Sequence, residues 1–275
     1  MEDDPLKRIA AALERLAPPT QGVDLSAGTR FRWTPAGPTP VGPADGPPLS
    51  LLLGVDMQKD KLLANTRRFA AGARANHALL WGARGTGKSA LIKAVHAAVS
   101  AEAPALKLVE APSQDTRALA LALIGLRAQP SPVILFLDDL SFETDDAAMK
   151  ALKPALDGGL NAGGRLIVYA TSNRRHLVAR DARENSDDLF WKDTAEEHLA
   201  LADRFGLWLG FHVPDQAGYL AIVRAYAAHF KLPISAEALE HEALLWARTR
   251  AARSGRTAWQ FIVDLAGRLE RELVF

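Results

Sequence analysis

Apolar residues along this chain follow two alternating rhythms. Five short stretches, at 77–81, 106–110, 133–137, 166–170 and 207–211, are almost continuously apolar, as expected of strands buried on both faces. Between and before them, segments at 57–71, 88–100, 115–127 and 146–157 carry their apolar residues at helical spacing. Such alternation predicts a parallel sheet covered by helices on both faces. After residue 213 the strand rhythm stops. Three helical segments at 215–230, 236–252 and 257–271 then predict a separate, smaller all-helical domain.

Ahead of the sheet pattern, residues 5–17 read as a short amphipathic helix, with Leu6, Ile9, Leu13 and Leu16 on one side and Pro18 and Pro19 stopping it. From 35 to 48, nine of fourteen residues are Pro or Gly, which predicts an extended or irregular connector. Phe31 and Trp33, just before it, are suited to anchor this arm on the core. The expected organisation is an N-terminal helix and arm over 1–50, an α/β domain over 51–213 and a helical domain over 214–275.

One loop gives this framework a chemistry. Gly82, Ala83, Arg84, Gly85, Thr86, Gly87, Lys88 and Ser89 form a complete G-x-x-x-x-G-K-[ST] sequence between a predicted strand and a predicted helix. Glycines let backbone N–H groups curl around a phosphate while the helix N-terminus adds its positive dipole end. Lys88 is suited to reach the β- and γ-phosphates and the Ser89 hydroxyl to ligate magnesium. The motif in this context implies nucleotide binding.

Fifty residues on, the 133–137 strand ends in Asp138 and Asp139. Parallel α/β sheets bind ligands at that carboxyl edge. Asp138 suits the magnesium shell beside Ser89. Asp139 can polarise an attacking water, and Glu143 competes for that role or supplies an outer charge. The strand at 166–170 runs into Thr171, Ser172 and Asn173, and an Asn side chain can donate and accept at once between water and phosphate. Arg174, Arg175 and His176 add positive potential.

Composition narrows the alternatives. A chain of 275 residues can bury a large core plus a small satellite. A formal net charge of +1 argues against strong overall attraction to nucleic acid, leaving only a local basic patch. The absence of cysteine excludes disulfides and thiolate ligands, and seven scattered histidines offer no metal-binding spacing. The acidic start and the lack of an eighteen-residue apolar run predict a soluble, cytoplasmic protein without a membrane span.

Taken together, these residues resemble the AAA+ ATPases, with the loop as Walker A, Ile134 through Asp139 as Walker B and Asn173 as the first sensor. A narrower resemblance, over roughly residues 29–270, is to a bacterial family of predicted ATPases called domain of unknown function 815. It is carried by 53–58, 65–69, 80–89, 138–143, 169–177 and 203–207. The resemblance implies a P-loop NTPase fold with a five-stranded parallel sheet in the order 5-1-4-3-2 and a C-terminal three-helix lid. It implies ATP or ADP with Mg2+ as ligands, and magnesium-dependent hydrolysis coupled to remodelling or loading of a protein or nucleic-acid partner. Leu91 and Val55 join the loop in the expected nucleotide-binding set, Val55 near an adenine held between 53–58 and the lid. Arg204 is expected to complete a neighbouring subunit's site in a homo-oligomer, and Arg256 to act as the lid's sensor within the same chain. Many members carry an arginine where this chain has Trp259. Asp139 stands where glutamate is common, which keeps open a nucleotide-gated interaction module with slow hydrolysis. Residues 111–132 lack the pore signature of a polypeptide-threading unfoldase. The acidic stretch 181–197, interrupted by Leu189, Phe190 and Trp191, reads either as a docking loop or as a segment packed on the sheet.

Overall fold

The computed structural model describes residues 23–42, 46–140, 147–156, 165–173 and 203–275. The expected helix at 5–17, the stretch 181–197, Glu143 and the 174–176 basic run lie outside the described residues.

Side-chain alternation in the strands sorts the core into two layers. In β5 (Val133–Leu137), Val133, Leu135 and Leu137 join one apolar cluster while Ile134 and Phe136 join the other. This is the period-two consequence of a strand covered on both faces. On one face lie α3 (Thr116–Arg127) and α4 (Ala147–Leu156), contributing Leu119, Leu123, Leu126 and Leu152. On the other lie α1 (Asp56–Ala70) and α2 (Lys88–Glu102), contributing Leu62, Phe69, Leu91 and Val95.

Among the described residues the sheet has seven strands, which corrects both the expected five and the expected order. Their sequence across the sheet is β2-β1-β4-β5-β6-β3-β7. The five strands anticipated from apolar runs, β3 (Ala78–Gly82), β4 (Lys107–Ala111), β5, β6 (Leu166–Ser172) and β7 (Leu207–Phe211), run contiguously as β7-β3-β6-β5-β4 and are parallel. Beyond β4 the arm adds β1 (Arg30–Thr34), parallel to β4, and β2 (Gly37–Pro40), antiparallel to β1. Phe31 and Trp33 of β1 are buried in the core while Arg32 faces out. The proline density hid β2, because proline lacks the N–H a central strand needs. An edge strand tolerates it.

The three C-terminal helices, where the lid is expected, are α5 (Gln216–His229), α6 (Ala236–Thr249) and α7 (Gly255–Arg268), packed around Tyr219, Val223, Phe261, Ile262 and Leu265. Asp215, Ser235 and Ser254 cap the three helices by accepting N–H bonds from residues three further on. Leu51, ahead of α1, is buried in the lid cluster and so ties the α/β domain to it. Among the described residues, no helix is long and apolar enough to cross a membrane.

Candidate nucleotide site

The site lies where β3, β5 and β6 end together at the carboxyl edge of the sheet. Gly82 closes β3 at φ 135, and a Cβ there would lie 2.0 Å from the Phe211 carbonyl oxygen of β7. Only glycine meets both requirements. The loop then turns through Gly85 at φ 76 and Gly87 at φ 97 into α2. As in α1, no side chain caps α2, and the phosphate loop brings the first N–H groups of α2 to the cavity, where they can meet an anion.

Lys88 is 5% exposed. Its Nζ donates to the carbonyls of Gly82 at 2.9 Å and Ala83 at 2.7 Å and to Asn173 Oδ1 at 3.0 Å. Burial pushes its pKa from 10.5 down to about 8; Asp138 and Asp139 oppose the shift, and Arg256 and Arg84 reinforce it. Ser89 Oγ donates to Asp138 Oδ1 at 2.6 Å. Thr171 Oγ1 donates to the same oxygen at 2.6 Å and accepts the Asp139 N–H at 2.9 Å. Ser113 Oγ bonds the Asp138 carbonyl at 3.0 Å. The second carboxylate is held differently. Asp139 sits at φ 53, a left-handed conformation that Asp tolerates better than most residues. Asn173 Nδ2 donates to its Oδ1 at 2.6 Å, and an Arg84 guanidinium nitrogen lies 3.3 Å from its Oδ2.

These groups line one end of a cavity of about 940 Å³. Its opposite wall is the lid, with Tyr226, Trp259 and Phe275, and its rim includes Val55. Lid and loop meet at a tight seam. The Arg256 N–H donates to the Gly85 carbonyl at 3.1 Å, and a Cβ on Gly85 would lie 2.8 Å from Ser254 Oγ. The cavity size suits a nucleotide-sized ligand, and its lining combines cations with aromatic rings.

Residues 26–269 match the family described as protein of unknown function (DUF815). The chain belongs to the DUF815 family. Similar solved structures include the FIGL-1 AAA domain in complex with ADP, at 15% identity and a TM-score of 0.51, covering 86% of this chain and 88% of that one. They also include the Thermotoga maritima RuvB Holliday junction branch migration motor, at 15% identity and a TM-score of 0.47, covering 80% of this chain and 71% of that one. At this identity the likeness to the FIGL-1 domain is one of fold alone. No curated protein matches the chain.

In this DUF815 member the anticipated residues divide into groups. Val55, Arg84, Gly85, Thr86, Gly87, Lys88, Ser89, Asp138, Asp139, Asn173 and Arg256 all line the cavity. Gly82 and Ala83 stand behind it as carbonyl acceptors for Lys88. Leu91 is fully buried in the core beneath α2. Arg204 precedes β7, half-buried, and is not among the residues lining this cavity. Thr171 and Ser113 escaped the sequence reading. Thr171 was findable, because strand alternation puts it on the same face as Asn173, two residues later. Nothing local marked Ser113 or the lid aromatics.

Proposed function

We propose that the protein is a magnesium-dependent ATPase. The observation that carries this reading is the convergence of Lys88, Ser89 and Asp138 at the uncapped start of α2, with Ser89 and Asp138 oxygens 2.6 Å apart. A hydroxyl and a carboxylate suit a small hard cation, so Ser89 and Asp138 are the residues to hold Mg2+, with Thr171 fixing the carboxylate's orientation. Held there, the metal would supply charge that neutralises bound phosphate. The backbone N–H groups of 85–89 and Lys88 hold the phosphates, and Arg256 brings lid charge to them.

Hydrolysis joins a water oxygen to the terminal phosphorus and breaks its bond to the bridging oxygen, whose electron pair leaves with ADP. Asp139 takes the water proton and Asn173 orients the water. An adenine nucleotide is supported by the ADP named with the FIGL-1 domain, and its base is assigned toward Val55 and the lid residues that line the same cavity. Arg204, away from its own cavity, acts on the site of a second copy in a homo-oligomer. Turnover is coupled to remodelling or loading of a protein or nucleic-acid partner in the cytoplasm. A second reading, a nucleotide-gated interaction module with slow hydrolysis, is favoured by one observation: both Asp139 carboxylate oxygens are engaged.

Purified protein should release phosphate from ATP with Mg2+, lose that activity in EDTA, and lose nucleotide binding in Lys88→Ala. Equal hydrolysis by wild type and Lys88→Ala overturns the ATPase reading of this cavity. Nucleotide-dependent partner binding without turnover selects the second reading. Specific activity should rise with protein concentration, and Arg204→Ala should lose that rise while keeping ATP affinity.

A further inference from the structure

Backbone amides and Lys88 suffice to grip phosphates at a loop of this kind, yet the loop carries a second long cation. Arg84 stands between Ala83 and Gly85 with its side chain 74% exposed, and its guanidinium reaches Asp139 Oδ2 at 3.3 Å. Asn173 holds the other carboxylate oxygen and itself accepts from Lys88. A run of polar contacts, Lys88 to Asn173 to Asp139 to Arg84, thus leaves the phosphate loop and returns to it. All four side chains line the cavity.

Two features separate Arg84 from an ordinary surface charge. Exposed ion pairs contribute little to stability, so this contact is cheap to exchange and does not hold the fold. In addition, Arg84, Lys88 and Arg256 are the Lys and Arg side chains among the described residues lining the cavity. On the lid side, Trp259 follows Arg256 by three residues and packs among aromatic rings, so it brings no second cation.

We propose that Arg84 is a phosphate-reading cation acting within its own chain: it binds the terminal phosphoryl group of a bound nucleoside triphosphate and releases Asp139 as it does so. This rests on the cavity being the ATP site. A guanidinium presents five donors in a planar fork that matches phosphate oxygens. A terminal phosphate carries more negative charge than a carboxylate and draws that fork away from Asp139. A diphosphate lacks the group, so with ADP the Arg84–Asp139 contact persists. The third phosphate therefore frees one Asp139 oxygen to accept from water, and the competition makes the carboxylate available only when there is something to hydrolyse.

The test compares binding of the non-hydrolysable β,γ-imido analogue of ATP with binding of ADP, by displacement of a fluorescent nucleotide. Arg84→Ala should weaken the triphosphate analogue by about ten- to a hundredfold, the effect of one charge-assisted contact, and leave ADP affinity unchanged. Arg84→Lys should recover part of the loss. Asp139→Asn should tighten the analogue in the Arg84 protein and much less in Arg84→Ala, the coupling expected of direct competition. Equal weakening of both nucleotides by Arg84→Ala would make Arg84 a loop-shaping residue, and no weakening would make it a surface charge. Either result overturns the proposal. Lys88→Ala keeps the two readings apart: if it leaves both nucleotides bound as in wild type, the cavity is not the nucleotide site.

Discussion

The two walls of the cavity are built by opposite means. On the α/β side, Lys88, Ser89, Asp138, Asp139, Thr171 and Asn173 are each fixed by hydrogen bonds of 2.6–3.0 Å that end on strand termini or loop carbonyls. On the lid side, the lining rings of Tyr226, Trp259 and Phe275 pack against one another and against Phe230, with centroids 4.8–6.3 Å apart. A hydrogen-bonded wall holds one geometry, because each unpaired group costs about 1–3 kcal/mol. An aromatic wall holds an area, and its rings can slide while staying buried. The first arrangement suits phosphate, whose oxygens must be met at fixed points. The second suits a surface that opens and closes over the rest of a ligand.

Four substitutions or conditions probe this contrast, in decreasing order of effect. Gly82→Ala strikes the rigid wall, since its Cβ would collide with the Phe211 carbonyl at 2.0 Å on a backbone of φ 135. We expect a stability loss above about 3 kcal/mol in urea denaturation, and an unchanged midpoint would show that β3 and β7 are less closely tied than described. Trp259→Ala strikes the aromatic wall. It should cost about 2–3 kcal/mol, confined in hydrogen exchange to amides of α5–α7; equal acceleration in β3 to β6 would mean the walls are not separable.

Gly85→Ala strikes the seam between them, where Ser254 Oγ and Arg256 Cβ stand 2.8 and 3.0 Å from the added methyl. A loss of about tenfold in ADP affinity, on the order of 1.4 kcal/mol, is expected by calorimetry, together with a stability loss of about 1 kcal/mol from alanine held in the left-handed region. Full retention of affinity would detach the lid from nucleotide binding. Acid gives the mildest test. His96 and His77 have pKa values pushed down to about 4, both chiefly by burial, and both belong to the α/β half. The His77 Nδ1 also accepts the Val168 N–H at 2.9 Å, which protonation would abolish. Because the unfolded chain takes up these protons near pH 6.5 and the folded one only near 4, their contribution is full above about 6.5 and is lost as pH falls toward 4. Near pH 5.5 each histidine should cost about 1 kcal/mol, loosening the sheet before the lid. His96→Gln and His77→Gln proteins with unaltered acid sensitivity would place the loss elsewhere.

The same contrast decides what was readable in the sequence. Strands β3 to β7 announced themselves as apolar runs because both faces are covered, and the phosphate-side residues because their chemistry demands fixed spacing along one loop and two strand ends. The lid aromatics come from α5, α7 and the segment after it, and they meet only through tertiary packing, so no spacing marks them. Strand β1 was half visible in the Phe31 and Trp33 alternation. Strand β2 was invisible, being two prolines among four residues. Arg84 was read as one of the loop's variable positions, and its reach to Asp139 depends on the left-handed turn at the end of β5, which sequence does not declare.

Those two prolines decide how this sheet can meet other chains. The Val41 N–H donates to the Arg30 carbonyl at 3.0 Å, and strand alternation therefore turns the amides of Gly37, Thr39 and Val41 inward toward β1. The outward positions are Pro38 and Pro40, neither of which has an N–H to give. The outer margin of β2 presents acceptors without donors, so a foreign strand finds no ladder to complete there. The sheet is chemically finished on that side, and growth by strand addition has no foothold along β2.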